Sequence, residues 1–162
     1  MIEKTIVLLK IPVFHPECDK VSVFIAQSLG IYGFDYRLRD MYLDENELSK
    51  IYSNVNEVIL NSILAQLAFK KLRVFVVTGE DAVSRVFNLK GTKTDPYDCD
   101  HSSWRYNLAV NVPGVKDLSR RVRLRKSDGS DLVTIVENFV HAPGPDDVER
   151  NLQVFRKYFG QI

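Results

Sequence analysis

Two short apolar runs constrain this chain more than any other feature. Glu3–Leu9 reads EKTIVLL and Leu72–Val77 reads LRVFVV. Both are rich in β-branched residues and too short for a core helix, so each reads as a buried strand. Phe34–Leu43 alternates instead, with Phe34, Tyr36 and Leu38 on one face and Asp35, Arg37 and Arg39 on the other. That is the pattern of a half-buried strand. Helical spacing fills the gaps. Lys20–Leu29 is apolar at helical intervals, with Gly30 just past its end. Asp44 followed by Glu47 is a capping-box pattern, opening a short helix that runs to about Tyr52. Asn54–Phe69 and Gly79–Leu89 read as two further helices, the first carrying the stripe Val58, Leu60, Ile63, Leu64 and Leu67.

Lys90–Ser103 is a polar loop long enough to suggest function. VRLRK from Val122, then SDGS, then DLVTIV signals a hairpin with Asp128-Gly129 at its turn. Asn138–Val140 continues as strand until Pro143, Gly144 and Pro145 break it. Asp146 and Asp147 open a last helix through about Tyr158, with acids at its positive end. This order predicts an α+β fold: a ferredoxin-like βαββαβ core with an antiparallel sheet, extra helices and an inserted basic β-hairpin. At this length one domain is the default, spanning residues 1–162.

Hydrophobic residues at 45% and charged residues at 27% exclude a disordered chain. No apolar run approaches the roughly 20 residues of a spanning helix, so no membrane partner is expected. The start reads as a strand rather than a signal peptide. Cys18 and Cys99 are the only cysteines. Two free thiols fit a reducing, cytoplasmic setting. The net charge is only +1, which gives no general pull toward nucleic acid. The average hides a local excess. In Pro113–Lys126 six basic residues face only Asp117, giving +5 and leaving −4 on the rest.

Several pieces, in order, resemble the nucleoside diphosphate kinase family, nearly end to end. Lys10-Ile-Pro-Val13 closes the first strand as the family's Lys-Pro-Asp-x-Val does, and Ile51-Tyr52 matches its Tyr. Gly79-Glu-Asp-Ala-Val83 resembles Gly-x-Asn-Ala-Val. Gly91 with Thr94-Asp95-Pro96 resembles Gly-x-Thr-Asn-Pro, with one extra residue. Ser102-Ser103-Trp104-Arg105 resembles Gly-Thr-Ile-Arg, and Asn138-Phe-Val-His141 the catalytic Asn-x-x-His. No single piece is specific; their order on the expected elements carries the resemblance.

The resemblance implies a phosphotransferase that moves the γ-phosphate of a nucleoside triphosphate to a nucleoside diphosphate through a phosphohistidine on His141. Lys10 and Arg105 would hold phosphates, Thr94 would donate its hydroxyl to one, Asn138 would hold a ribose hydroxyl, and Tyr52 would steady the imidazole. Magnesium would come with the nucleotide; no residue is expected to bind a metal directly. The family's assemblies imply a homo-oligomer. The alternative is a kinase-like module that binds nucleotide with weak or no turnover.

Four departures from the family pattern stand out, and the first three motivate that alternative. The family's phosphate arginine falls on Phe87, with Arg85, Lys90 and Lys93 as substitutes. The glutamate that orients the imidazole falls on Leu152, with Asp146 and Glu149 nearby. His141 is followed by Ala-Pro-Gly instead of Gly-Ser-Asp, and the base-stacking aromatic falls on Leu60. The family also lacks the insertion, which lies within about 111–135. On a strand, Arg121, Arg123 and Arg125 would share one face. The basic hairpin reads first as a solvated arm or subunit contact, ahead of a guanidinium donor to the site or a nucleic-acid arm. A zinc site from His15, Cys18, Cys99 and His101 has the right donors. It is disfavoured because the pairs are far apart in sequence.

Overall fold

In the computed structural model, the described residues are 1–116, 121–125, 128–129, 132–136 and 138–162. The chain runs β1 (Ile2–Leu9), α1 (Cys18–Ile31), β2 (Asp35–Tyr42), α2 (Glu45–Ile51), α3 (Glu57–Leu67), β3 (Lys71–Glu80) and α4 (Ala82–Lys90). A 3₁₀ turn at Pro96–Asp98 follows, then α5 (Trp104–Val110), β4 (Arg121–Arg125), β5 (Leu132–Val136), β6 (Val140–His141) and α6 (Val148–Phe159). The main sheet has the order β2-β3-β1-β6 with every neighbour antiparallel; β4 and β5 pair separately as the hairpin. This is the ferredoxin-like arrangement expected from the sequence.

The two apolar runs are continuous because both faces of the sheet are covered. Along β1, Val7 and Leu9 face a core built with Val21 and Ile25 of α1, Val86 of α4 and Trp104. Ile6 and Leu8 face a second core built with Leu48, Leu67, Leu152 and Phe155 of α2, α3 and α6. The extra helices therefore supply the cover for the sheet's second face.

Several boundaries differ from expectation. β3 runs three residues beyond Val77, so Gly79 and Glu80 are strand and α4 begins at Ala82. Gly79 belongs to the strand because Phe34 lies on it; a Cβ there would meet the ring at 2.5 Å. The helix expected over Asn54–Phe69 is shorter, beginning after Asn56, whose side chain accepts from the Ile59 amide. β2 is an edge strand exposed along nearly its whole length, so the apolar face read from Tyr36 and Leu38 is 42% exposed at both residues. The helix at Trp104–Val110 carries no strong apolar period and was not expected; Ser103 caps it. The capping box at Asp44 and Glu47 is present in full.

The loop from Gly91 to Ser103 folds back tightly on α5. Gly91 has φ 106°, and a Cβ there would meet the Cys99 sulfur at 2.8 Å and Ser103 Oγ at 3.2 Å. Both the left-handed backbone and the close approach demand glycine. Gly91→Ala is expected to lower the unfolding free energy by about 1–3 kcal/mol, read as a lower urea midpoint at unchanged slope.

Candidate active site

Strand β6 has only two residues, and it fixes the site. Leu8 pairs with His141 and Leu9 with Val140, while the Lys10 amide donates to the Phe139 carbonyl at 2.8 Å. Paired residues share a face, so His141 joins Leu8 on the side of α2 and α6. Its half-buried ring meets Tyr52 at the end of α2, with ring centroids 4.7 Å apart. Its Nε2 lies 2.9 Å from Asn151 Oδ1 on α6.

Asn151 decides the imidazole's tautomer. Its Nδ2 donates to the Asp147 carbonyl at 3.0 Å, and a carbonyl can only accept. The amide oxygen therefore faces His141 and accepts from an Nε2–H. In a neutral ring that leaves Nδ1 with the lone pair. Asn151 is fully buried. It stands one position before Leu152, where sequence matching placed the orienting residue. Leu152 instead packs in the second core. Glu149 is turned away, paired with Arg156 at 2.7 Å. The missed signal was a buried asparagine on the apolar face of α6, three residues after Val148 and four before Phe155.

The outer edge of β6 is held by two cations. Along a strand successive carbonyls point to opposite edges, so Phe139 faces β1 while Val140 and Ala142 face outward. Arg105 of α5 donates to the Val140 carbonyl through Nε and Nη2, at 3.3 and 3.0 Å. Its Nη1 bridges to the carbonyls of Gly91 and Lys93, at 3.3 and 2.6 Å. Lys90, the last residue of α4, donates to the Ala142 carbonyl at 3.0 Å and is 5% exposed. Its ammonium sits 4.0 Å from the centroid of the Phe87 ring. Arg85, the other candidate on α4, reaches the carbonyls of Glu80 and Tyr32 and stacks on Phe34, away from β6.

Lys10 completes the group, its ammonium 5.9 Å from the Tyr52 ring centroid. Asn138 is buried and donates to the Thr94 carbonyl at 3.0 Å, which ties the Thr94 loop to β6. The structure thus brings together Lys10, Tyr52, Arg105, Asn138 and His141, and Thr94 through its backbone. Two polar atoms among them are buried without a partner: the Tyr52 hydroxyl and Asn138 Oδ1.

The electrostatics follow from burial and like charge. Burial, with Lys90, Lys10 and Arg105 nearby, pushes the His141 imidazole down to about 3, against a smaller upward pull from Asn151. Burial first, then Arg105, pushes Lys90 down to about 7; Cys99 pulls the other way and Lys10 adds a smaller push down. Burial holds the Tyr52 phenol well above its usual range. Among the described residues, no carboxylate forms an ion pair with Lys90 or Arg105. Two desolvated cations, Lys90 and Arg105, that no carboxylate among the described residues neutralises suit the approach of an anion.

The described residues contain no group of three or more His, Cys, Asp or Glu side chains able to hold a metal. Cys18 and Cys99 are free and buried. The Cys99 thiol donates to the Lys93 and Asp95 carbonyls, His15 accepts from the Glu17 amide, and His101 stacks on Tyr106. The side chains of Arg121 and Arg123 lie outside the described residues; Arg125 is exposed and lines a cavity against α3 with Glu57 and Asn61. Among the described residues, no helix is long and apolar enough to cross a membrane.

Arg105 fixes backbone as well as charge. An ammonium cannot make its forked set of bonds to three carbonyls. Arg105→Lys is therefore expected to cost about 2–3 kcal/mol of stability, measurable by urea unfolding without any ligand.

No protein-family model and no curated protein matches the sequence. Solved structures do match. A transition-state mimic of the Borrelia burgdorferi nucleoside diphosphate kinase with vanadate and ADP is 17% identical with TM-score 0.67, covering 95% of this chain and 86% of that one. The Halobacterium salinarum enzyme in complex with CDP is 19% identical with TM-score 0.65, covering 96% and 88%. An NDP kinase from Pyrobaculum aerophilum is 16% identical with TM-score 0.66, covering 96% of each chain. Its layers, its strand order and these alignments over nearly the whole length agree: the chain has the nucleoside diphosphate kinase fold.

Proposed function

We propose that the chain is a phosphotransferase that moves the γ-phosphoryl group of a nucleoside triphosphate to a nucleoside diphosphate through a phosphohistidine on His141. The observation that carries this is an imidazole whose Nε2 is held by Asn151, near Lys10, Lys90 and Arg105, the last two with no ion-paired carboxylate among the described residues. In the first half-reaction the Nδ1 lone pair attacks the γ-phosphorus. The N–P bond forms, the bond to the bridging oxygen breaks, and the diphosphate leaves with that electron pair. In the second, a terminal oxygen of another diphosphate attacks the phosphohistidine and the electrons return to Nδ1. Catalysis of this kind is mostly positioning and charge neutralisation. Lys10 and the outward N–H of Arg105 meet the phosphates, and the buried Tyr52 hydroxyl donates to one. Asn138 Oδ1 accepts from a ribose hydroxyl, and the exposed Thr94 hydroxyl meets a phosphate oxygen. With no cluster of metal ligands among the described residues to hold it, magnesium would be carried by the phosphates and add charge neutralisation there. The same reading includes assembly into a homo-oligomer.

A second reading, nucleotide binding with little turnover, is favoured by one specific observation. Asn151 supplies a neutral oxygen where the family resemblance implies a carboxylate. Tight ADP binding by calorimetry with no phosphate exchange would establish it.

Incubation with γ-labelled ATP and magnesium decides between them. Acid-labile, base-stable label is expected on the wild type and not on His141→Ala; absence of label at any nucleotide concentration removes the phosphotransferase reading. The pH profile gives a further check. His141 stays neutral until about 3, so its protonation should leave labelling unaffected between about pH 5 and 8. Asn151→Asp places a carboxylate on Nε2 and raises the imidazole's proton affinity. Labelling by that variant should therefore fall on the acid side of neutrality, where the wild type's does not.

A further inference from the structure

We propose that Lys90 is a phosphate ligand of this site, seated on Phe87, and that it takes the place of the phosphate arginine the chain lacks at position 87. The inference rests on the nucleotide reading above and adds a residue that no family motif supplies. Three observations carry it. Lys90 is 5% exposed, yet it makes no ion pair among the described residues. Its one recorded hydrogen bond, to the Ala142 carbonyl, uses one of three N–H donors and holds it at the residue after His141. Phe87 lies beneath the ammonium at 4.0 Å, and its ring also lies 3.5 Å from where a Cβ of Gly144 would be, closing that side. The substitution that removes a guanidinium thus builds a seat for an amine one helical turn later.

Burying an ammonium beside Arg105 and Lys10 is unfavourable unless an anion arrives. A purely structural role, capping Ala142, could be met by a neutral donor at lower cost. The groups facing the amine are Lys10 at the end of β1, Arg105 on α5, Cys99 in the loop, and His141 on β6. Against burial and the neighbouring cations, Cys99, the Ala142 carbonyl and the Phe87 ring favour the charged form. Near neutrality the free site therefore holds a mixture of amine and ammonium, and phosphate binding selects the ammonium. Anion binding then takes up a proton.

Calorimetry of ADP and of inorganic pyrophosphate at pH 8, in two buffers of different ionisation enthalpy, reads this directly. Wild type is expected to take up a sizeable fraction of a proton per ligand bound. Lys90→Met should lose the uptake and bind on the order of tenfold more weakly. Lys90→Arg, permanently charged, should keep affinity and lose the uptake, and its affinity should stop falling as pH rises above 7. Unchanged uptake in Lys90→Arg overturns the inference, even if Lys90→Met fails to fold. Unchanged affinity in a folded Lys90→Met overturns it as well. The two readings fail separately. Lys90-dependent uptake with pyrophosphate but no ADP binding would remove the nucleotide and keep the phosphate ligand. ADP binding that both variants leave unaltered would do the reverse.

Discussion

Everything in the candidate site depends on how a two-residue strand is held at a sheet edge. β6 contributes only the pairs Leu8–His141 and Leu9–Val140. Such a short ladder is weak by itself, and its outer edge would leave carbonyls unpaired in a crowded interior. Arg105 and Lys90 bind those outer carbonyls from the helices of the opposite layer. The edge is thereby closed with positive charge instead of another strand. The same contacts place two cations along the backbone of His141, whose side chain faces the other layer, toward Tyr52 and Asn151.

That arrangement couples stability to anion affinity. A guanidinium or ammonium bonded to carbonyl oxygens is partly satisfied, but no carboxylate among the described residues balances the charge of Arg105 or Lys90. Burial first, and then that positive surplus, press down the proton affinities of Lys90 and His141. On His141 the consequence is an imidazole pushed down to about 3. On Lys90 it is a cation held near the margin of losing its proton. Both shifts start from burial and are deepened by the cations nearby.

Much of this was legible in the sequence. The apolar runs at β1 and β3, the Asp44 capping box and the Asp128-Gly129 hairpin follow from local chemistry, and the strand order follows from their sequence. The resemblance carried Lys10, Tyr52, Arg105, Asn138 and His141 onto elements that converge. Three features were not legible, each for a physical reason. The exposure of β2 depends on its edge position, which strand periodicity does not encode. The helix at Trp104–Val110 is fixed by its Ser103 cap and the burial of Trp104 and Leu108, not by a long apolar period. Asn151 was missed because matching by motif looked for a carboxylate at one position. The fold places a buried amide one residue earlier, where the helix face meets His141.

The two largest departures from the family pattern both bear on the first half of the proposed reaction. An amide at Nε2 fixes the tautomer as well as a carboxylate would, because orientation needs only an acceptor held in place by the Asp147 carbonyl. It does not supply the negative charge that would make the ring more basic. A less basic imidazole is a poorer nucleophile toward the γ-phosphorus and a better leaving group from the phosphohistidine. Substituting Asn151 for a carboxylate therefore slows formation of the intermediate and speeds its discharge. The cation at Lys90 acts on the first of these steps. In the proposed reaction it would stabilise charge on the entering triphosphate, where the weaker nucleophile most needs help. Phe87, Lys90 and Asn151 are in this view one set of changes, joined through the charge of a single buried site.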